Sequence, residues 1–273
     1  MTTTGARLTW GLLGRDRAEI EIRTDWAGAG GAEWAWGGGD GRGVRVCVLD
    51  SGVDVGHPSV GAVASSHTVR DAVGGGVEVV ADTGGDSCGH GTACASIIRM
   101  MAPECELHSV QVLRSGYRGS GDALIAGVRW AVDQGYDVIN MSLSTTRREF
   151  AQALHEIADS AYFGRSLLVA SAHNMPVESF PWRFSSVISV GSHEEDRPDL
   201  LLYNPAPPVE FFARGVRVPA AWPGGTTRRC TGNSFATPHV AGMCARILGK
   251  HPDMTPFQVK QALFLASANV RRS

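Results

Sequence analysis

Val44-Arg45-Val46-Cys47-Val48-Leu49-Asp50-Ser51-Gly52 is a near-continuous apolar run closed by a carboxylate and a turn. A strand reads this way when crossover helices cover both faces of a parallel sheet and leave it no wet side. Leu107 to Leu113, Asp137 to Ser142, Ser166 to Ala170 and Val187 to Gly191 have the same character. Helical patterns separate them. Asp122 is placed to cap a helix from Ala123 to Gln134, with Gly135 as its stop. Phe150, Leu154, Ile157, Ala158 and Ala161 form a stripe at helical spacing that ends at Gly164. Thr255-Pro256 is a cap followed by proline at the first helical position. Strands alternating with helices predict an α/β fold, an open, mostly parallel β-sheet with helices on both faces. With 273 residues, 43% of them hydrophobic, the chain can bury one large core.

Open sheets of this kind place their chemistry at the carboxyl ends of strands, where Asp50 falls. Two further stretches carry the same signature of a reactive residue among glycines and small neighbours: Cys88-Gly89-His90-Gly91-Thr92 and Gly232-Asn233-Ser234-Phe235-Ala236-Thr237-Pro238-His239. His90 and Ser234 each precede a helical pattern, Ala93 to Met101 and Phe235 to Leu248. The positive end of a helix suits developing anionic oxygen. Pro238 reads as lying near the start of the second helix, where a missing N–H is tolerated best. Taken singly, each residue has a plain reading: a turn aspartate, a loop histidine, a helix-capping serine. Together they are what a hydroxyl nucleophile requires, a base to take its proton and a carboxylate to fix the tautomer of that base. Asp50, His90 and Ser234 are therefore the candidate catalytic triad.

Through these three motifs, from about Gly43 to Leu265, the chain resembles the subtilisin-like serine protease (subtilase) family, whose triad follows the same Asp, His, Ser order. The resemblance implies a subtilisin-like sheet and a serine endopeptidase working through an acyl-enzyme. It also implies a fourth catalytic residue. After Leu167-Leu168-Val169-Ala170 the chain reads Ser171-Ala172-His173-Asn174, and Asn174 matches the asparagine whose amide binds the oxyanion. His173 stands where the family has glycine. Substrate-binding positions carried over are Ser142, Leu143 and Ser144, whose exposed backbone would pair with an extended peptide, and Gly119, Ser120 and Gly121 on the opposite edge. Trp182, in Phe180-Pro181-Trp182-Arg183, falls on the wall of the pocket for the residue before the scissile bond. An inward indole there favours small residues, and an outward one leaves room for a basic residue near Glu178. The helix Ala93 to Met101 runs straight into Ala102-Pro103, and Ser59 follows His57-Pro58 where relatives carry an acid, so no calcium is expected at that loop. The phrase Phe235-Ala236-Thr237-Pro238 is similar to that of subtilases that mature peptide natural products.

Other classes are disfavoured. An α/β-hydrolase esterase needs Gly-x-Ser-x-Gly with serine ahead of the other two residues. A catalytically idle peptide-binding scaffold would not need all four reactive residues. The 25 basic and 27 acidic side chains are mixed along the chain, leaving a formal net charge of −2 and no nucleic-acid footprint. No apolar run approaches the ~18 residues of a membrane span, and Leu8 to Gly14 is too short for an export signal. Six cysteines without that signal read as reduced thiols in a cytoplasmic chain. Cys88 and Cys94 flank His90, but the triad already uses that histidine and no other Cys/His cluster has zinc spacing, so neither metal nor cofactor is expected. The partner is a peptide or protein substrate. Residues 1–40 read as a flexible, Gly- and Trp-containing lead-in, and 41–273 as the peptidase domain.

Overall fold

The computed structural model describes residues 30–116 and 118–270. In chain order its elements begin with α1 (Ala32–Ala35), β1 (Arg45–Asp50), β2 (Gly52–Val53), β3 (Val63–Asp71), β4 (Val77–Asp82), β5 (Gly85–Asp86) and α2 (His90–Met101). They continue with β6 (Glu106–Gln111), α3 (Gly121–Asp133), β7 (Val138–Met141), α4 (Ala151–Phe163), β8 (Leu167–Ser171) and β9 (Ile188–His193). The last are β10 (Leu202–Tyr203), β11 (Phe211–Arg214), β12 (Val218–Trp222), β13 (Thr226–Cys230), α5 (Asn233–Lys250) and α6 (Pro256–Ala266).

The five strands read from apolar runs are β1, β6, β7, β8 and β9, and they form the parallel centre of a nine-stranded sheet ordered β10-β11-β9-β8-β7-β1-β6-β3-β4. Only the outermost pairs, β3 with β4 and β10 with β11, are antiparallel. Val46 and Val48 join the core beneath α2 and α5, whereas Cys47 and Leu49 join the core beneath α3 and α4. That split is the period-two alternation of a strand buried on both faces. The chain lays β3, β4 and β6 on one side of β1, then switches to β7 and β8 on the other. Asp50 ends the strand at this switch, where open sheets leave a crevice.

Three local expectations change. The cap of α3 is Ser120, whose Oγ accepts the Ala123 N–H at 3.0 Å; Asp122 lies within the first turn. α2 and α5 start at His90 and Asn233, earlier than read, so His90 and Ser234 sit inside their first turns. Pro238 is consequently the sixth residue of α5, too deep for a free N–H position. Its missing donor leaves the Ser234 carbonyl without a helical partner, and the Cys94 thiol donates to that oxygen at 3.7 Å.

The lead-in is corrected from Ala32 onward; residues 1–29 lie outside the described part. Ala35 and Trp36 are buried in the core, and Trp34 packs on it. Lys250 donates to the carbonyls of Glu33 and Gly37, and Arg246 donates to that of Gly39. The indoles give this glycine-rich stretch apolar surface to bury, and the end of α5 supplies donors for its carbonyls.

Candidate active site

Asp50 is fully buried, and both carboxylate oxygens lie 2.9 Å from His90 Nδ1. A carboxylate only accepts, so Nδ1 carries the proton and Nε2 is left as an acceptor. The Ser234 hydroxyl donates to that Nε2 at 3.0 Å. The Ser51 N–H holds Asp50 from behind at 2.8 Å. The three residues come from the end of β1 and the starts of α2 and α5, which pack beside each other on one face of the sheet. Burial works against charge on His90, yet Asp50 opposite its ring, with Cys94 beside it, outweighs burial and holds the pKa well above the usual histidine value. A protonated imidazole is thus the stabilised form, as proton uptake from serine demands.

Asn174 reaches the same place from the β8 end. Its Oδ1 accepts the Asn233 N–H at 2.9 Å. A methyl group placed on Gly232 would stand 3.4 Å from Asn174 Nδ2 and 3.5 Å from Ser234 Oγ, so the bare α-carbon of Gly232 leaves a small cradle between amide and hydroxyl. Its φ of 153° suits glycine as well. His173, the departure from glycine, accepts the Met175 N–H on its Nδ1 at 3.0 Å and closes the turn around Asn174.

Two residues of this site were not read from sequence. Asn233 Nδ2 donates to the carbonyls of Ala172 and His173 at 3.1 and 3.3 Å, tying the helix of Ser234 to the Asn174 turn. Asp86 is the second. Its Oδ1 accepts from Ser51 Oγ, Cys88 N and Gly89 N, and its Oδ2 from Thr92 N and Thr92 Oγ1, at 2.6–3.0 Å. One carboxylate therefore ties the end of β1 to the start of α2. An acid four residues before a histidine that opens a helix was the available signal, because such a side chain can reach the orphan N–H groups of the first turn.

The peptide-binding positions divide. Residues 142–144 follow β7, and their main chain makes no backbone–backbone hydrogen bond among the described residues. Thr145 beyond them pairs with Phe180 in both directions at 2.9 Å. Gly119 and Ser120 border a cavity of ≈480 Å³. Trp182 is turned inward rather than to solvent. It is 7% exposed, donates from Nε1 to Ser179 Oγ at 2.7 Å, and borders a cavity of ≈440 Å³ with Ala172, His173 and Asn233. Ser142, Leu143 and Ser144 do not line that cavity.

All six cysteines are unpaired. Cys94 lies 3.9 Å from both Asp50 Oδ2 and His90 Nδ1, so the three offer ligand atoms to a cation within 4.8 Å of one another. A cation there would take the nitrogen that holds His90 to Asp50. Burial raises the Cys94 pKa and keeps its thiol protonated. No helix among the described residues is long and apolar enough to cross a membrane.

The profile described as "Subtilase family" matches residues 41–272. The chain is 31% identical over 246 residues to subtilisin DY of Bacillus licheniformis, covering 84% of this chain and 85% of that protein. It is 33% identical over 240 residues to subtilisin E of Bacillus subtilis (strain 168), covering 82% of this chain and 60% of that one. Among solved structures, a cold adapted subtilisin-like serine proteinase superposes with a TM-score of 0.67 at 29% identity, over 81% of each chain. A lanthipeptide protease superposes with a TM-score of 0.65 at 24% identity, over 82% of this chain and 79% of that one.

Proposed function

Because the chain belongs to the subtilase family and is, by that kinship, a subtilisin-like serine endopeptidase, we propose that Asp50, His90, Ser234 and Asn174 carry its chemistry. His90 Nε2 takes the Ser234 proton as Oγ attacks the scissile carbonyl, and Asp50 stabilises the imidazolium that forms. The carbonyl oxygen, now anionic, lies in the cradle at Gly232, where the Asn174 amide and the Ser234 N–H can donate to it. His90 returns the proton to the leaving amine, and water releases the acyl-enzyme by the same steps. The observation that carries this reading is the unbroken relay from Asp50 through His90 to Ser234. The extended substrate lies between residues 142–144 and 119–121, held by its main chain.

A fluorophosphonate probe tests the assignment. Wild type is expected to label on Ser234, with labelling and peptide hydrolysis lost in Ser234→Ala. A folded wild type that neither labels nor cleaves would favour an idle peptide-binding scaffold.

We also propose a dedicated role, maturation of a peptide inside the cytoplasm. Six unpaired thiols, five of them buried, support a reducing compartment. The Phe235-Ala236-Thr237-Pro238 phrase supports peptide maturation; the likeness to the lanthipeptide protease, at 24% identity, carries the fold alone. Peptides encoded beside the gene, incubated with the enzyme and sequenced, test that role: one defined cut in one of them is expected, and indiscriminate cleavage would overturn it.

A further inference from the structure

The hairpin of β12 and β13 leads directly into the segment that carries Ser234, and it does more than connect. β12 packs along α2, where the Ala221 N–H donates to Ser96 Oγ at 3.0 Å. The turn is braced from outside as well. Asp54 Oδ2 accepts the Gly224 N–H at 3.1 Å, and His57 Nε2 donates to the Thr226 carbonyl at 2.9 Å. A hairpin fixed at its flank and its tip is a stiff ledge.

Next to that turn the ledge carries an indole. The Trp222 ring lies so close on Gly89, the residue before His90, that a methyl group there would meet its carbons at 2.3–2.7 Å. Arg228 stands with its guanidinium carbon 4.5 Å from the centre of the same ring, a cation–π distance. Strand alternation puts Arg228 on the face of Cys230, and Cys230 packs with Ala93 of α2 and with Phe235 beside Ser234. Arg228 is exposed, and among the described residues no carboxylate forms an ion pair with it, with Arg229 or with Arg217. Two arginines of the hairpin, and a third just before it, thus lack acidic partners in a chain whose formal net charge is −2.

The chemistry fixes which part of a substrate meets this ledge. His90 Nε2 must reach the leaving amine, so the peptide beyond the broken bond passes the His90 flank, past Gly89 and Trp222. We infer that Arg228, held over Trp222, is a specificity residue that receives an acidic side chain of the substrate shortly after the scissile bond. The inference rests on the serine-protease reading of the site. An arginine stacked on an aromatic face is already partly ordered, so less freedom is lost when its fork meets a carboxylate.

Matched fluorogenic peptides carrying Glu, Ala or Lys at each of the first three positions after the cleaved bond test it. Wild type is expected to show kcat/KM about three- to fivefold higher for Glu than for Lys at one of those positions, as suits a single exposed pair. The preference should fade at high salt, reverse in Arg228→Glu and persist in Arg228→Lys. Equal rates for Glu and Lys at all three positions, or a preference unchanged in Arg228→Glu, would overturn it. Binding of the same peptides to Ser234→Ala, read by anisotropy, separates the two readings. Glu-selective binding that depends on Arg228 supports the ledge even where the wild type proves hydrolytically idle. Binding indifferent to charge overturns it.

Discussion

α2 and α5 lie side by side, and each carries in its first turn a residue of the proposed triad, yet those turns are treated in opposite ways. At α2 the donors are closed off. Gly91 N–H goes to Ser51 Oγ and Thr92 N–H to Asp86, while Asp86 also takes the N–H groups of Cys88 and Gly89. Both helices have a glycine cap with no side-chain acceptor, Gly89 and Gly232, but among the described residues no carboxylate does at α5 what Asp86 does at α2. Asn233 N–H goes to Asn174, and among the described residues the Ser234 N–H has no acceptor. The difference suits the work proposed for each end. A general base must be held in one orientation, and a carboxylate cap does so. An oxyanion site must keep a donor in reserve, because a cap would occupy the hydrogen bond before the substrate arrives.

The open end is the more sensitive of the two. Asn174→Ala is expected to lower kcat by about 10²–10³, the range measured for the corresponding donor of subtilisin, with KM little changed. Gly232→Ala adds a methyl group 3.4 Å from the Asn174 amide at a φ that L-residues rarely adopt, and should lose at least as much. If Gly232→Ala kept full turnover, the cradle would lie elsewhere and the contrast between the helices would collapse.

The same two helices also bury two histidines with opposite electrostatics. His90 has Asp50 against it. His239 of α5 is fully buried, donates from Nδ1 to the Phe235 carbonyl at 2.9 Å and has no partner for Nε2 among the described residues. Burial, with the charge of Arg214 nearby, pushes its pKa down to about 4. Between an unfolded value near 6.5 and that folded value, the unfolded chain binds the extra proton. Stability is therefore full above about pH 6.5 and is lost as pH falls toward 4, by about 3 kcal/mol in all. His90 has the opposite sign: the stability from its pairing with Asp50 is present at low pH and lost as pH rises through its raised pKa. Urea midpoints between pH 7 and 4 should show the loss from His239, and His239→Gln should flatten it. A slope unchanged in that variant would place the titration elsewhere.

What could be read in advance divides along similar lines. β1, β7, β8 and β9 are buried on both faces, so their apolar runs announced them. β3 and β13 gave no such signal: Val63–Asp71 buries only Val69 fully, and four of the five residues of Thr226–Cys230 are exposed. The three residues proposed as the triad could be picked out because their glycine-rich motifs sit in order along the chain, and folding brings them within hydrogen-bond reach. Asp86 was not, since its role depends on meeting Ser51, thirty-five positions earlier, a contact made only by folding. The order in this stretch was hidden for the same reason: Trp34 meets His251 at the end of α5, and α1 packs against α6, far along the chain.

The closed end gives the smallest effect and sharpens the comparison most. In Asp86→Asn an amide replaces one carboxylate oxygen while the shape is kept. Whichever way it turns, its NH₂ faces N–H groups that cannot reverse, those of Cys88 and Gly89 on one side or of Thr92 on the other. Leaving such a donor unmet costs about 1–3 kcal/mol, so Tm should fall and the start of α2 should shift. His90 would then sit slightly out of line with Ser234, and kcat is expected to drop about tenfold with KM nearly constant. The acid limb of the pH–rate profile should stay where it is, because the charge that raises the His90 pKa is that of Asp50. Asp50→Asn should move that limb toward lower pH. Asp86→Ser, which still offers one acceptor, should recover part of the loss. An Asp86→Asn enzyme with unchanged kcat would show that His90 needs no carboxylate cap. An acid limb that moved with it would mean that Asp86 acts on His90 through charge rather than position.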